Sequence, residues 1–213
     1  MVFSSFVFLW IFFPITIAGY YLLNDNYKNI WLLLASIFFY AWGEPKYLVL
    51  IVASILLNYL IGLLIEKSES KRIPLAMGIV FNIGLLFFFK YFSYLLSLIY
   101  PYVGNKSNDK GLLTIALPIG ISFYTFQSLS YLIDLYRDRY KAQRNIISLA
   151  LYITFFPQLI AGPIVRYIDI ENQINNRSYN RDQFIEGMSC FSYGLGKKVI
   201  LANNMGGDTD KHR

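Results

Sequence analysis

Apolar residues in this chain come in long, nearly unbroken runs separated by short polar breaks. They do not alternate as in a half-buried strand. The runs extend over Val2–Leu23, Ile30–Trp42, Tyr47–Ile65, Ile73–Tyr100, Leu112–Tyr136, Ile146–Val165 and Phe184–Ala202. An α-helix needs about 20 residues to cross about 30 Å of hydrocarbon. All but Ile30–Trp42 approach or exceed that length, so the pattern predicts an all-α, polytopic transmembrane helical bundle. Two prolines and a glycine inside the Phe155–Arg166 stretch further predict a broken or re-entrant segment. The first run has no Lys or Arg before it and no small-residue cleavage site after it, so it is expected to be a retained span. The sizeable hydrophilic insert, Asp169–Asp182, is expected at a surface.

Composition sharpens this picture. Of 213 residues, 56% are hydrophobic and 15% charged, which a water-soluble globule could accommodate only by exposing large apolar patches. The formal charge of +6 is carried mainly by the polar breaks, as in loops beside a membrane, and not on a nucleic-acid-binding surface. Lys and Arg in alternate loops favour an inside location for Lys28, for Lys67, Lys71 and Arg72, and for Arg137, Arg139, Lys141 and Arg144. The bias grows if the run ending at Val165 dips into the membrane and returns to its own side. Cys190 is the only cysteine, which excludes an internal disulfide. With short loops, no fixed-period repeat and no linker, one integral domain is the economical reading.

Three features could carry chemistry. Tyr124, Gln127, Ser128, Tyr131 and Asp134 fall at i, i+3, i+4, i+7 and i+10, one polar stripe on an otherwise apolar helix. Unpaired polar atoms in lipid cost several kcal/mol each, so the stripe must meet other helices or a wet cavity. Interhelical hydrogen bonding and a substrate path both fit. Gln158 and Arg166 are the polar groups nearest the proline-broken segment, whose backbone also needs cover; a simple proline kink is the alternative. Gly187, Cys190 and Gly194 at i, i+3 and i+7 predict a close helix-packing face. Lys90 among Tyr91, Phe92 and Tyr94 reads as an interface residue that snorkels. Gly194-Leu-Gly-Lys-Lys198 superficially resembles a phosphate loop but lacks its first glycine and its Ser/Thr. His212, the only histidine, sits in a hydrophilic end with no apolar enclosure, so neither a Ser/His pair nor a metal site is expected.

Several segments, in order, resemble the bacterial alginate O-acetylation branch of the membrane-bound O-acyltransferase family. They are Val2-Phe-Ser-Ser, Ser36-Ile-Phe-Phe-Tyr-Ala-Trp-Gly43, Phe89-Lys-Tyr-Phe92, Leu117-Pro-Ile-Gly-Ile-Ser-Phe-Tyr-Thr-Phe-Gln127, Phe155-Phe-Pro-Gln-Leu-Ile-Ala-Gly-Pro163 through Arg166, and Gly194-Leu-Gly-Lys-Lys-Val199. The Leu117 and Phe155 blocks are the most specific. The resemblance implies a multi-pass protein of the bacterial cytoplasmic membrane that relays an acyl group, commonly acetyl, to hydroxyls of an extracellular polysaccharide such as alginate. It implies a cytoplasmic acyl donor, acetyl-CoA or another acyl thioester, as cosubstrate, with no bound cofactor. Membrane lipid and secreted partner acyltransferases are the further partners it implies. The stripe, with Gln158 and Arg166, would then line the family's tunnel. The family's histidine base follows a tryptophan in a later hydrophobic segment, and His212 does not match it. Residues 1–205 are thus expected to be the N-terminal portion of a longer enzyme, inactive alone and with no catalytic residue in this chain, and 206–213 an aberrant hydrophilic tail. A transporter or lipid-flipping subunit using the same stripe remains the rival reading.

Overall fold

The computed structural model describes residue 3, residues 5–103 and 117–159, residue 162, and residues 165–175 and 180–202. The tail with His212, the start of the fifth apolar run at 112–116, and Ala161 and Pro163 of the broken segment lie outside them. Among the described residues every regular element is helical. A π-helical turn, Phe8–Phe12, leads into α1 (Phe13–Leu22). Next come α2 (Asp25–Gly43), a 3-10 turn at Pro45–Tyr47, α3 (Leu48–Lys67), α4 (Arg72–Val103), α5 (Ile121–Tyr136), α6 (Ile146–Thr154), α7 (Phe156–Leu159), α8 (Tyr167–Asn175) and α9 (Arg181–Gly196), which ends in a π-helical turn, Lys197–Ala202.

The chain divides into two compact units, one of residues 24–175 and one combining 1–23 with 176–213. In the second, aromatic pairs join α1 to α9. Phe13 stacks on Phe191 at 4.8 Å and Tyr21 meets Phe184 edge-on at 5.7 Å. Among the described residues nothing packs on the small-residue face predicted on α9: no atom lies within 4 Å of a side chain added at Gly187 or Gly194, and Cys190 is exposed. The aromatic face at Phe184 and Phe191, seven residues apart, makes the contact with α1 instead. Its larger apolar area removes more surface from water.

In the larger unit α5 packs among α3, α4, α6 and α7. Two glycines make room for it. A side chain on Gly62 of α3 would lie 3.0 Å from the Tyr131 ring, and one on Gly78 of α4 would lie 2.5 Å from Leu132 Cδ1. Between α3 and α4 the buried amides of Asn58 and Asn82 bond each other. Asn82 Nδ2 donates to Asn58 Oδ1 at 2.7 Å, and Asn58 Nδ2 returns a longer bond of 3.3 Å while also donating to the Ser54 carbonyl at 2.8 Å. Such a pair fixes the register of two helices that apolar contacts alone would let slide.

Pro45–Lys67 and Arg72–Phe92 are the described helices long and apolar enough to cross a membrane. Their outer faces are strongly apolar: Val49 is 77% exposed and Val80 71%. Of the other predicted runs, Ile30–Trp42 lies within the longer α2, and Phe184–Ala202 within α9 and its π-helical turn. In the described part of the Leu112–Tyr136 run, the helix begins at Ile121 after the Pro118–Gly120 turn. The Ile146–Val165 run stops at Thr154, because Pro157 has no N–H for the Ile153 carbonyl and its ring crowds that group. The Asp169–Asp182 insert is not simply surface chain. Its first part belongs to α8, where Tyr167, Ile170 and Ile174 turn an apolar edge to the core.

Candidate functional site

The polar stripe of α5 is buried throughout its length. Its position is set at the N-terminus by Gly120, which has φ +78° and brings the helix start against the Leu159 carbonyl. A Cβ at 120 would stand 2.6 Å from that oxygen, so both the left-handed backbone and the contact need glycine. This turn joins the two most specific sequence blocks, the one at Leu117 and the one at Phe155.

Gln127 repairs the broken helix. In a continuous helix the Phe156 N–H would donate to the Tyr152 carbonyl. Here the Phe156 N–H donates to Ser36 Oγ of α2 at 3.2 Å, and Gln127 Nε2 donates to the Tyr152 carbonyl at 2.7 Å. One side chain therefore takes each half of the missing backbone bond. Ser36 is itself held by donating to the Leu32 carbonyl at 2.7 Å, and Phe39 packs on Phe156 at 5.5 Å. Gln127 also reaches Gln158 Oε1 at 3.5 Å, a weak contact. The stripe and the broken segment thus meet at Gln127.

Toward the C-terminal end of α5 the stripe joins a cluster of four tyrosines that sequence reading missed except for Tyr131. Tyr131, Tyr140, Tyr152 and Tyr167 have ring centroids 5.0–5.8 Å apart. Tyr131 Oη accepts from the Gln143 N–H at 3.0 Å, and Gln143 Nε2 donates to Tyr167 Oη at 2.5 Å. Tyr140 donates to the Tyr131 carbonyl at 2.8 Å, and burial, with Tyr131 next in importance, raises its hydroxyl above the ordinary tyrosine range, so it stays a donor. Tyr152 donates across the break to the Val165 carbonyl at 2.9 Å. Asp134, also buried, pairs with Arg139 at 3.5 Å through Oδ1, while its Oδ2 has no hydrogen-bond partner. The missed signal was the i, i+3, i+7 spacing of Tyr167, Ile170 and Ile174, hidden in a polar context.

The N-terminal half of the stripe differs. The hydroxyls of Tyr124, Thr125 and Ser128, with Tyr40 from α2, are buried and have no hydrogen-bond partner among the described residues. An orphaned buried hydroxyl costs about 1–3 kcal/mol. Arg166 is not brought into this group: it is half exposed and meets Asp169 at 3.4 Å, one turn along its own segment. Among the described residues no cluster of His, Cys, Asp and Glu could hold a metal.

Over 210 residues, 96% of its length, the chain is 40% identical to a protein of Pseudomonas syringae pv. tomato named "Probable alginate O-acetylase AlgI", and it is equally close to the protein of that name in Pseudomonas aeruginosa. It is also 36% identical to the peptidoglycan O-acetyltransferase of Helicobacter pylori, again over 96% of the chain. The chain spans 40% of the length of the two AlgI proteins and 45% of the third. No family model matches it, and no solved structure does. These relatives bear out the resemblance found in the sequence and, with the two long apolar helices, mark a membrane protein.

Proposed function

We propose, on the premise that this chain is an AlgI-like sequence of the membrane-bound O-acyltransferase family, that it forms part of an enzyme moving acetyl groups onto hydroxyls of an envelope polysaccharide. The carrying observation is the match over 96% of the chain to relatives whose names all specify O-acetyl transfer. The donor is an acyl thioester such as acetyl-CoA, supplied from the cytoplasm, and the acceptor an alginate-like or peptidoglycan-like polymer. The protein is a multi-pass component of the cytoplasmic membrane.

Within that enzyme this chain supplies a helical wall and no general base. Acyl transfer to a hydroxyl needs a group that removes its proton, and His212, the one histidine, is not matched to that role. The side chains divide into two tasks. Ser36 and Gln127 hold the broken segment in shape, while the orphaned hydroxyls of Tyr40, Tyr124, Thr125 and Ser128 are free to bond polar atoms of a passing substrate. Tyr131, Asp134 and Gln158 stand beside that path as its supports, and Arg166 marks its outer edge.

A chimera tests this. Residues 1–202 are joined to the part of the Pseudomonas aeruginosa relative that the match leaves uncovered, and expressed in a host lacking that relative. Labelled acetyl groups on exported polysaccharide are expected. Normal membrane insertion with no labelled polymer overturns the proposal, and transport of an unmodified solute instead supports the rival reading.

A further inference from the structure

We infer that the junction of α3, α4 and α5 holds a site for an uncharged group that both donates and accepts a hydrogen bond, built by Thr125 and Ser128 with Asn58 and Asn82. The inference rests on the acetyl-transfer reading above and names the chemistry that two of its orphaned hydroxyls meet. Two close approaches fix the registers of the three helices. Gly62 of α3 lies against Tyr131, and Gly78 of α4 against Leu132. Lys71, between α3 and α4, pairs with Asp138 just beyond α5, so α5 runs with α3 and against α4. One turn from these contacts toward the start of α5 stand Ser128 on α5, Asn58 on α3 and Asn82 on α4. Each is four residues from Leu132, Gly62 or Gly78 and so shares its helical face. Thr125 follows one turn further along the α5 face. All four side chains are fully buried.

The unused bonding capacity of this layer defines its ligand. The amide hydrogens are already committed. Asn82 Nδ2 donates to Asn58 Oδ1 at 2.7 Å and to the Gly78 carbonyl at 2.9 Å; Asn58 Nδ2 donates to the Ser54 carbonyl at 2.8 Å and, more weakly, to Asn82 Oδ1 at 3.3 Å. Each Oδ1 thus accepts one bond among the described residues and has room for a second. The hydroxyls of Thr125 and Ser128 bond nothing among the described residues, so each has a hydrogen to give. A ligand that satisfies both sides donates to an amide oxygen and accepts from a hydroxyl. A secondary amide or a sugar hydroxyl does both, whereas the carbonyl of an acyl ester only accepts. The charged residues of α3, α4 and α5 are Glu66, Lys67, Arg72, Lys90 and Asp134, none within a turn of this layer. A charged ligand would therefore be buried without a counter-charge, at a far larger cost than a neutral one.

Two probes separate the sources of such a group. S-acetylpantetheine carries secondary amides like those of a thioester donor's arm, without phosphates, and methyl glucoside carries the hydroxyls of a sugar acceptor, without a carboxylate. Each is titrated against the full chain in detergent and read as a rise in melting temperature. A rise with the first makes the donor the source, and a rise with the second the acceptor. Ser128→Ala and Thr125→Val lose no hydrogen bond, so their unliganded melting temperatures should stay near the parent's. Each should weaken binding of the active probe about tenfold. No rise with either probe, or binding that both variants keep, overturns the inference. On the amide side Asn82→Leu removes an acceptor together with the α3–α4 bond. Asn82→Gln, which keeps the amide but moves its oxygen by one methylene, is therefore measured beside it. Weaker binding in Asn82→Gln is expected even if Asn82→Leu fails to fold, and parent-like binding in Asn82→Gln overturns the part given to the amides. The titration does not use the chimera, so absence of labelled polymer there would sink the acetyl-transfer reading without deciding this one.

Discussion

The two halves of α5 carry the same kind of stripe, equally buried and at the same helical spacing, yet they end differently. From Gln127 onward each stripe side chain except Ser128 has a partner: a carbonyl at the break, a loop N–H, an arginine. Toward the N-terminus, Tyr124, Thr125 and Ser128 present hydroxyls that bond nothing. Spacing alone cannot separate the two, because it reports a shared face and says nothing of what the face meets. The two readings of the stripe, bundle glue and substrate path, can therefore be tested one half at a time.

The comparison is most severely tested where α5 is anchored. Gly120→Ala places a Cβ 2.6 Å from the Leu159 carbonyl at a φ that costs a non-glycine residue about 1–2 kcal/mol before any clash. A total loss of roughly 3 kcal/mol or more is expected, read as a large drop in melting temperature in detergent. A change under about 1 kcal/mol would show that the start of α5 is free to move. Next comes Gln127→Leu, which leaves the Tyr152 carbonyl without a donor in an apolar interior. About 2 kcal/mol is expected, with membrane insertion preserved because Leu is favourable in lipid. Ser36→Ala removes the acceptor of the Phe156 N–H and should cost a similar amount. Because both repair one break, the double variant should lose less than the two losses added.

How much of this was legible in the sequence depends on what each signal measures. Continuous apolar runs announced helices, and Pro157 announced a break, since a missing N–H acts wherever the residue sits. The inward direction of Gln127, with the rest of its stripe, followed from the cost of an amide in lipid. The partners of that amide did not. That Ser36 takes the donor and Gln127 the acceptor depends on contacts between residues 120 positions apart in one case and 25 in the other. The tyrosine cluster escaped for the same reason, joining α5, α6, α8 and a loop that the pattern treated separately. Arg166 was read by proximity to the break, but three residues on lies Asp169, close enough in sequence to claim it first. The glycine stripe of α9 shows the opposite case, a pattern real in sequence with no neighbour among the described residues.

A smaller effect is expected in the partnered half. Tyr131→Phe deletes the acceptor for the Gln143 N–H while keeping the ring against Gly62, Tyr140 and Tyr167. The loss should be about 1 kcal/mol. A neutral result would mean that the N–H finds water, and that the tyrosine cluster is held by ring packing alone.

The smallest stability effect, and the one that bears most on function, belongs to the orphaned half. Tyr124→Phe and Ser128→Ala each remove a hydroxyl with no partner, so no hydrogen bond is lost and the desolvation cost of a buried polar atom is relieved. Stability should stay within about 0.5 kcal/mol of the parent, or rise. If these hydroxyls serve only the bundle, nothing else changes. If they bond substrate, the acetylating chimera should lose several-fold in transfer while its melting temperature and membrane insertion hold. Tyr131→Phe should show the reverse, a loss of stability with transfer nearly intact. Loss of transfer in Tyr131→Phe together with full activity in Tyr124→Phe and Ser128→Ala would exchange the roles of the two halves, and the path would have to be sought around the tyrosine cluster.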